Sequence, residues 1–449
     1  MGSMPQIVYL PRWSDTVALR KLAETHRSDY LLLYTGTSEL HLAPRAVERM
    51  LQVARMSDAV MLYADYFRRE GDVKKSIPVL EYQLGSLRDD FDFGPLQLYR
   101  TREFAEAVAE MEEDYRYAAL YDLRLRLSRK GDIVRLPESL YTVEETDFRK
   151  SGEKQFDYVN PAQREVQVEM EQACTAHLRA IGAKLAPRTR SVELEVGGFS
   201  VEASVVIPVK DRVGTIADAV GSALSQQTDF PFNVIVVDNH STDGTTAVVQ
   251  ELARTNPSLV HHIPASRELG IGGCWNEAIG HPDSGKFVVQ LDSDDLYSDE
   301  HTLQTIVDAF YREKCAMVIG SYRMVNFRLE EIPPGVIAHR EWTAENGHNN
   351  ALRINGLGAP RAFYTPVVRS IGFPNVSYGE DYAVALAVSR EYRIGRIFDA
   401  LYLCRRWDGN SDAALDVAKQ NAYHFYKDKI RTLELKARMK MNISEAGDE

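Results

Sequence analysis

The chain has 449 residues, of which 44% are hydrophobic and 26% charged, and its formal net charge is −12. This composition is typical of a globular protein of two or three domains, and the negative charge argues against nucleic acid bound through a basic face. Its four cysteines show no CxxC spacing and no apolar run approaches the ~20 residues of a membrane span, so we predict a cytoplasmic protein without a zinc site or disulfide framework.

The first third of the chain alternates predicted strands and helices. Apolar runs predict strands at 7–10, 30–34 and 59–63 and helices at 44–54 and 112–129. The last of these helices would open with the acidic pair Glu113-Asp114, which we interpret as a helix cap. A helix from about residue 160 to 181 then joins two domains, and residues 187–198 form a boundary that holds an edge strand.

From Ala203 onwards the alternation becomes denser. Strands are predicted near 204–209, 233–238, 259–263, 286–291, 316–320 and 395–403, with helices between them and a final helix to about residue 441. Residues 331–360, rich in Gly and Asn, are predicted to be irregular. This order indicates a parallel sheet covered by helices, and such sheets bind ligands at the carboxyl ends of their strands.

Residues 286–295, KFVVQLDSDD, predict a buried strand that ends in acidic side chains. Asp292 and Asp294 are two residues apart, so on a strand end their carboxylates point to one side. Hard oxygen ligands of this kind suit Mg²⁺ or Mn²⁺ carrying a diphosphate, and we interpret the stretch as a nucleotide-sugar site. The alternative is an acidic turn that only caps the next helix.

Polar residues also follow the neighbouring strands. Asp211 and Arg212 come after the first strand of this half, and Asp238-Asn239 follows the second. Aspartate at such a position can accept hydrogen bonds from a base or a ribose. Arg267 precedes a GxGG sequence and can meet a phosphate, whereas the glycines permit close approach either of a ligand or only of the chain in a tight turn.

Five motifs occur along this half, namely IPVKDR, VVDNHSTDGT, ELGIGGCWNEAI, LDSDD and GED. In this order and spacing they resemble glycosyltransferase family 2, the inverting transferases of the GT-A fold, over roughly residues 203–411. The resemblance implies an α/β fold with a Rossmann-like mixed sheet flanked by helices. It also implies a nucleotide-sugar site that includes Pro208, Asp211, Arg212, Asp238, Asn239, Arg267, Gly272, Asn276, Asp292 and Ser293.

The resemblance also implies a role for particular carboxylates. It places Asp211 and Asp238 at the nucleoside, Asp292 near the ribose and Asp294 on a metal, Mn²⁺ or Mg²⁺. The catalytic base of the family is the aspartate of the Glu-Asp pair, which here is Asp381, with Glu380 at the acceptor. Asp381 would begin a helix, where the helix dipole favours the ionised carboxylate.

One position departs from the family pattern. Members often carry a metal-ligating histidine in an Arg-x-His sequence after the last core strand, and Trp407 stands there in this chain. Because an indole cannot ligate a metal, either water and diphosphate complete the coordination or the metal is held loosely. His339 or His348 could replace the missing ligand.

The first half of the chain echoes the second. The segments QIVYLP, DYLLLYTGTSEL, AVMLYAD, EEDYRYAAL and IVRLPESLY follow the order of LVHHIP, KFVVQLDSDDLY, AMVIGSY, GEDYAVAL and RIFDALYL. We predict a truncated, degenerate GT-A-like copy in residues 1–150. Thr35-Gly36-Thr37 stands where the second copy has Asp292-Ser293-Asp294, so the first copy should bind no nucleotide.

The sequence therefore predicts four regions, a GT-A-like domain without metal motif (1–150), a helical linker (151–198), a catalytic GT-A domain (199–411) and a C-terminal helix with a polar tail (412–449). The expected activity is metal-dependent, inverting transfer of a sugar from a nucleotide-sugar, with UDP-sugar the expected donor, to a hydroxyl acceptor in glycan or glycoconjugate synthesis. The alternatives are a sugar-phosphate nucleotidyltransferase and a non-catalytic nucleotide-sugar-binding scaffold.

Partners beyond donor and acceptor are predicted from charge. No nucleic acid is expected, and a homo-oligomer is left open. The last helix carries a basic run between Lys427 and Lys440, interpreted as a solvated face. Weak peripheral contact of this run with an anionic membrane is the alternative interpretation.

Overall fold

The structure is a computed structural model, and it describes residues 5–10, 15–144, 164–187, 189–195, 197–340, 342–407 and 416–448. The chain divides into two compact units. Unit 1 comprises Met1–Lys184, Leu352–Ile354 and Leu415–Glu449, and unit 2 comprises Leu185–Ala351 and Asn355–Ala414. Residues 151–163 of the predicted linker and 408–411 of the predicted catalytic region lie outside the described residues.

Unit 1 is built on two sheets. Its elements are β1 (Ile7–Tyr9), α1 (Thr16–Thr25), β2 (Tyr30–Tyr34), β3 (Leu40–Leu42), α2 (Ala46–Ser57), β4 (Met61–Ala64), β5 (Tyr66–Glu70), β6 (Val73–Ile77), β7 (Leu96–Arg100), α3 (Thr101–Ala109), α4 (Ala119–Leu127), β8 (Ile133–Leu136), β9 (Tyr141–Glu144) and α5 (Arg164–Ala180). The strands follow the orders β1-β2-β7-β4-β8 and β3-β9-β5-β6. Every residue of β2, YLLLY, is buried, as expected of a central strand covered on both faces.

Unit 2 is organised around one larger mixed sheet. Its elements are β10 (Ala203–Val209), α6 (Ile216–Leu224), β11 (Phe232–Asp238), α7 (Thr245–Thr255), β12 (Leu259–His262), α8 (Ile271–Gly280), β13 (Phe287–Gln290), β14 (Leu296–Tyr297), α9 (Thr302–Glu313), β15 (Met317–Val325), β16 (Glu331–Ile337), α10 (Gly347–Asn350), β17 (Arg361–Tyr364), α11 (Thr365–Ile371), α12 (Glu380–Glu391) and β18 (Ile394–Arg405). The strand order is β12-β11-β10-β13-β17-β15-β18-β14, with β16 paired to β15.

The final helix, α13 (Val417–Asp448), belongs to unit 1. Two members of its basic run, Arg431 and Arg438, are fully buried, so the prediction of a solvated face is wrong for them. Arg431 pairs with Asp428 at 2.8 Å, and Arg438 pairs with Glu434 at 2.8 Å. Each arginine meets a carboxylate on its own helix, which lets these charges be buried.

Several predicted elements differ from the structure. Helix α4 begins at Ala119, because the carboxylate of Glu169 accepts hydrogen bonds from the N–H groups of residues 116–118 at 2.6–3.1 Å. Glu113-Asp114 therefore does not cap this helix. Residues 331–360, predicted to be irregular, contain β16 and α10, whereas no strand is described in 187–198. None of the helices in the described ranges is long and apolar enough to cross a membrane.

Candidate active site at the carboxyl edge of the sheet

The strand directions in unit 2 bring several loops to one edge of its sheet. β10 runs parallel to β11 and β13. β17 is antiparallel to both β13 and β15, and β18 is parallel to β15, so β15 and β18 point the same way as β13. The loops after these strands carry Asp211, Asn239, Asp292 and Trp407, and Arg361 starts β17 at the same edge.

Acidic groups concentrate just beyond β13. Oδ1 of Asp292 accepts a hydrogen bond from Nε2 of Gln290 at 2.8 Å, and its backbone N–H donates to the hydroxyl of Tyr402 at 3.0 Å. Burial raises the pKa of Asp292, an effect that Arg361 opposes. Burial and the charges of Asp292 and Asp294 raise the pKa of Asp295 well above its usual range. The strand end therefore holds more carboxylates than can easily ionise together.

Asp294 contacts Trp407, the residue that stands in place of the family's histidine. Nε1 of Trp407 donates to Oδ2 of Asp294 at 3.1 Å, and Nε of Arg212 lies 4.0 Å from the same oxygen. No group of three or more His, Cys, Asp or Glu side chains that could hold a metal ion occurs within the described part of the chain, so His339 and His348 belong to none. One carboxylate nevertheless fits Mg²⁺ or Mn²⁺ when diphosphate and water supply the other oxygens.

The Glu-Asp pair opens helix α12. Gly379 precedes it with a φ of +83°, a left-handed conformation that glycine adopts without strain. Nη1 of Arg361 lies 2.8 Å from Oδ2 of Asp381. Burial and the neighbouring Asp381 raise the pKa of Glu380 to about 8, so Glu380 is largely protonated at neutral pH. Its Oε2 is buried and has no hydrogen-bond partner among the described residues.

The end of β11 and the loop after it contain Asp238, whose carboxylate accepts several hydrogen bonds, and Asn239, whose side-chain oxygen accepts none from the described residues. Asp238 is fully buried and accepts hydrogen bonds from Ser241 N at 2.9 Å and Thr246 Oγ1 at 2.5 Å. Burial opposes the ionisation of Asp238, yet these hydrogen bonds lower its pKa. Asn239 donates through Nδ2 to the carbonyl of Leu269 at 2.8 Å, while its buried Oδ1 has no partner in the described residues. Asn239 is thus the residue of this pair whose acceptor, although buried, has no partner among the described residues.

The loop after β10 is tied to the loop after β11. Asp211, at a φ of +53°, accepts a hydrogen bond from Thr242 N at 2.6 Å, and Arg212 N donates to Thr245 Oγ1 at 2.8 Å. Pro208 lies within β10, in register with Val237. The side chain of Asp211 therefore shapes this corner of the edge.

Helix α8, which contains the predicted glycine, packs against the backbone of residues 373–376. Gly272 N donates to the Val376 carbonyl at 2.9 Å, and a Cβ at Gly272 would clash with the carbonyl oxygen of Pro374. Both ends of the Asn276 amide bind the backbone of Phe373, at 2.8 and 2.9 Å. Packing within the chain therefore accounts for a glycine at position 272 and an asparagine at position 276. Of the other predicted residues, Arg267 is exposed and Ser293 is buried.

Three residues without an individual role in the sequence prediction link the parts of the site, although Gln290 lies within the predicted stretch 286–295 and Arg361 ends the stretch 353–361, where the sequence favours an acceptor loop. Arg361 joins Asp381 to the sheet, since its backbone N–H donates to Oε1 of Gln290 at 3.2 Å. Gln290 in turn binds Asp292, and Tyr402 holds the backbone of the same aspartate. The available signal was a glutamine inside an otherwise apolar, fully buried strand, because a buried amide needs partners.

Residues 204–364 match the family described as Glycosyl transferase family 2. The chain contains a glycosyltransferase family 2 domain. This match and the mixed sheet of unit 2 confirm the family and the GT-A type of α/β fold predicted from the motifs.

The glycosyltransferase domain also has relatives among characterised proteins. The chain is 26% identical to the chondroitin synthase and to the hyaluronan synthase of Pasteurella multocida, over 33% of this chain and 17% of each relative. It is 31% identical to an O-antigen chain rhamnosyltransferase of Salmonella anatum, over 22% of this chain and 30% of that one. The chain therefore covers less than a fifth of the Pasteurella relatives.

Solved structures also match part of the chain. S. aureus TarS 1–349 in complex with UDP-GlcNAc matches with a TM-score of 0.40 and 22% identity, over 53% of this chain and 72% of that one. A mannosyltransferase of Pyrobaculum calidifontis in complex with GDP-Man and Mn²⁺ matches with a TM-score of 0.38 and 17% identity, over 64% and 86%.

Proposed function

We propose that the chain is a metal-dependent, inverting glycosyltransferase that moves a sugar from a nucleotide-sugar to a hydroxyl acceptor in glycan or glycoconjugate synthesis. One observation carries this proposal. The carboxylates after β13 and the Glu380-Asp381 pair of α12 meet at one edge of the sheet, where Arg361 and Gln290 connect them. Inverting transfer requires such an arrangement, because a base and a leaving-group site must lie on opposite sides of one carbon atom.

Asp381 is the proposed base. The acceptor oxygen forms a bond to the anomeric carbon while the bond to the diphosphate oxygen breaks, and that electron pair leaves with the nucleoside diphosphate. Asp381 takes the proton of the acceptor hydroxyl. Protonated Glu380, with its unpartnered Oε2, can donate a hydrogen bond to the acceptor and help to orient it.

Asp294 would hold the divalent cation, whose positive charge stabilises the diphosphate leaving group when it is bound. Trp407 and Arg212 already approach the Oδ2 atom of Asp294, at 3.1 and 4.0 Å. These two groups place positive or hydrogen-bonding partners next to the carboxylate and orient it towards the edge of the sheet.

The donor base is proposed from Asn239. Because Nδ2 of Asn239 binds a carbonyl, the unpaired atom is the acceptor Oδ1. Uracil, thymine and guanine each present a ring N–H to such an acceptor, whereas the ring N3 of cytosine is itself an acceptor. A UDP-sugar is the proposed donor, with dTDP- and GDP-sugars next and CDP-sugars disfavoured.

The two alternatives have less support. A nucleotidyltransferase needs a loop that grips a triphosphate, but the loop after β10 is fixed by internal hydrogen bonds at Asp211 and Arg212. Release of pyrophosphate from NTP and a sugar phosphate would favour that class. A non-catalytic scaffold is disfavoured because it has no need of a buried acid that lacks a partner, such as Glu380.

We also propose that unit 1 contains a degenerate copy. Its strands β2, β7, β4 and β8 have the order and relative directions of β13, β17, β15 and β18. Strand β1 pairs with β2, the place that β10 takes beside β13, so the predicted match of residues 6–11 with 259–264 does not fit the sheet order. The copy would carry Thr35 and Thr37 in place of the metal-side aspartates.

The proposed function is tested by melting temperatures with UDP, GDP, dTDP and CDP, with and without Mn²⁺, followed by sugar-transfer assays with the best donor. We expect a metal-dependent rise with UDP. Asp294→Ala should remove that rise and the transfer activity, and Asp381→Asn should remove only transfer. The proposal fails if no nucleotide raises the melting temperature, or if Asp381→Asn transfers sugar at the wild-type rate.

A further inference from the structure

Several carboxyl groups lie close together at the carboxyl edge of the sheet, and their mutual repulsion opposes the ionisation of all of them at once. Glu380 and Asp381 open α12, and Asp292 follows β13, so three carboxyl groups act on the guanidinium of Arg361. Their charges raise the pKa of Arg361 although burial opposes it. A protein stabilises buried carboxylates by protonation or by a cation, and here Arg361 faces all three.

The contacts of Arg361 with these acids are unequal. Its Nη1 lies 2.8 Å from Oδ2 of Asp381, whereas the adjacent Glu380 keeps a buried oxygen without a partner. Glu380 accordingly has a raised pKa, caused first by burial and then by Asp381. Gly272 of α8, which packs against Glu380, brings no charge to the group.

Arg361 is itself fixed in place. Its Nη1 also donates to the carbonyl of Gly358 at 2.8 Å, and its backbone is bound to Gln290. Gln290 binds Asp292, so the position of the base is coupled to the end of β13 through protein atoms alone. A cation next to a helix N-terminus opposes the helix dipole, so stability of α12 by itself does not account for an arginine here.

We propose that Arg361 is a positioning residue that pairs with the carboxylate of Asp381 and aims it at the acceptor hydroxyl. This inference rests on the proposed function, in which Asp381 is the base. Without the guanidinium of Arg361, Asp381 would take up a proton at a higher pH, because the nearby acids disfavour a further negative charge.

The test compares Arg361→Gln and Arg361→Lys with the wild type in transfer assays from about pH 5.5 to 9.5. The matched control is Arg254→Gln, which removes an exposed arginine of unit 2 that pairs with Glu251 at 2.6 Å. For Arg361→Gln we expect the acid limb of kcat/KM to move up by about one pH unit, so that up to about tenfold more activity is lost on this limb than at pH 9. The donor KM should stay within about threefold of wild type, since the side chain of Arg361 binds Asp381 and only its backbone N–H reaches Asp292, through Gln290.

Arg361→Lys should retain the wild-type acid limb with a reduced kcat, because it keeps the charge but not the planar guanidinium. The same fractional loss at every pH in Arg361→Gln, or no loss, would overturn the inference and leave the proposed function intact. If Arg361→Gln does not fold, a shifted acid limb in Arg361→Lys would overturn it instead. A wild-type protein that transfers no sugar from any donor would overturn the proposed function, and this inference with it.

Discussion

Two acidic residues of unit 2, Asp238 and Glu380, differ in their hydrogen-bond partners and therefore in their pKa. Asp238 is buried among hydrogen-bond donors, so its pKa is lowered in spite of burial, and its charge holds a loop together. Glu380 is buried with an unsatisfied oxygen, and its pKa is raised to about 8. The two acids differ because several donors reach Asp238, whereas one oxygen of Glu380 has none among the described residues, which suits the first to a structural role and the second to proton exchange.

Gly272 offers a prediction at the same scale. Gly272→Ala places a methyl group against the Pro374 carbonyl, so we expect a loss of about 2 kcal/mol or more in the free energy of unfolding. The matched control is Gly221→Ala in α6, where a Cβ meets nothing within 4 Å and the change should stabilise the protein by about 0.5–1 kcal/mol. Urea unfolding of both variants measures this difference, and equal stabilities would contradict the close packing of α8.

Individual elements depend on partners that are distant in sequence. Glu169 caps α4 from α5, about fifty residues away, and β16 is stabilised by its pairing with β15. Short strands gain stability only from a neighbour, so their own residues predict them poorly. Helix α13 shows the same dependence, since Asp428 also accepts a hydrogen bond from Ser86 at 3.1 Å.

The buried charges of α13 can be tested directly. Asp428 lies 2.8 Å from Arg431 and 3.4 Å from Arg88, and all three side chains are almost fully buried. Asp428→Ala leaves both arginines without this carboxylate, so we expect a loss of about 3–5 kcal/mol in unfolding free energy. Lys436→Met changes an exposed charge on the same helix and should cost less than about 0.5 kcal/mol. A small effect of Asp428→Ala in urea unfolding would contradict the network.

At the scale of the whole molecule, stability should depend on two histidines, the buried His177 and the half-buried His424. Burial and neighbouring arginines lower the pKa of both His177 and His424 to about 3. Both histidines titrate near 6.5 when unfolded, so the unfolded chain binds more protons than the folded chain between pH 6.5 and 3. The stability is complete above pH 6.5 and falls by about 1.4 kcal/mol per pH unit for each histidine as the pH drops.

His177→Leu removes one of these titrations. Between pH 7.5 and 4.5 we expect the variant to lose about 2–3 kcal/mol less unfolding free energy than the wild type, measured with urea at both values. His301→Leu, at a side chain that is 62% exposed, should retain the wild-type dependence. Identical losses in His177→Leu and the wild type would show that His177 titrates normally in the folded protein.

The degenerate copy proposed in unit 1 makes a prediction for the full-length chain. Titration calorimetry with the preferred nucleotide and Mn²⁺ should give one nucleotide per chain, because Thr35 and Thr37 supply no anionic ligand for a metal. Asp294→Ala should reduce this number to zero. A second nucleotide per chain, or binding that survives in Asp294→Ala, would contradict the proposed loss of function in unit 1.

The sequence by itself determined which edge of the unit 2 sheet carries the acidic and amide side chains, because buried apolar strands followed at once by Asp or Asn are a local pattern. It also identified the Glu-Asp pair and the family. Only the tertiary structure decided how these residues are used. Trp407 reaches Asp294 across 113 residues of chain, and Arg361 meets Asp381 because an antiparallel strand starts at the same edge. Charge pairing and burial depend on such long-range neighbours, which no local pattern specifies.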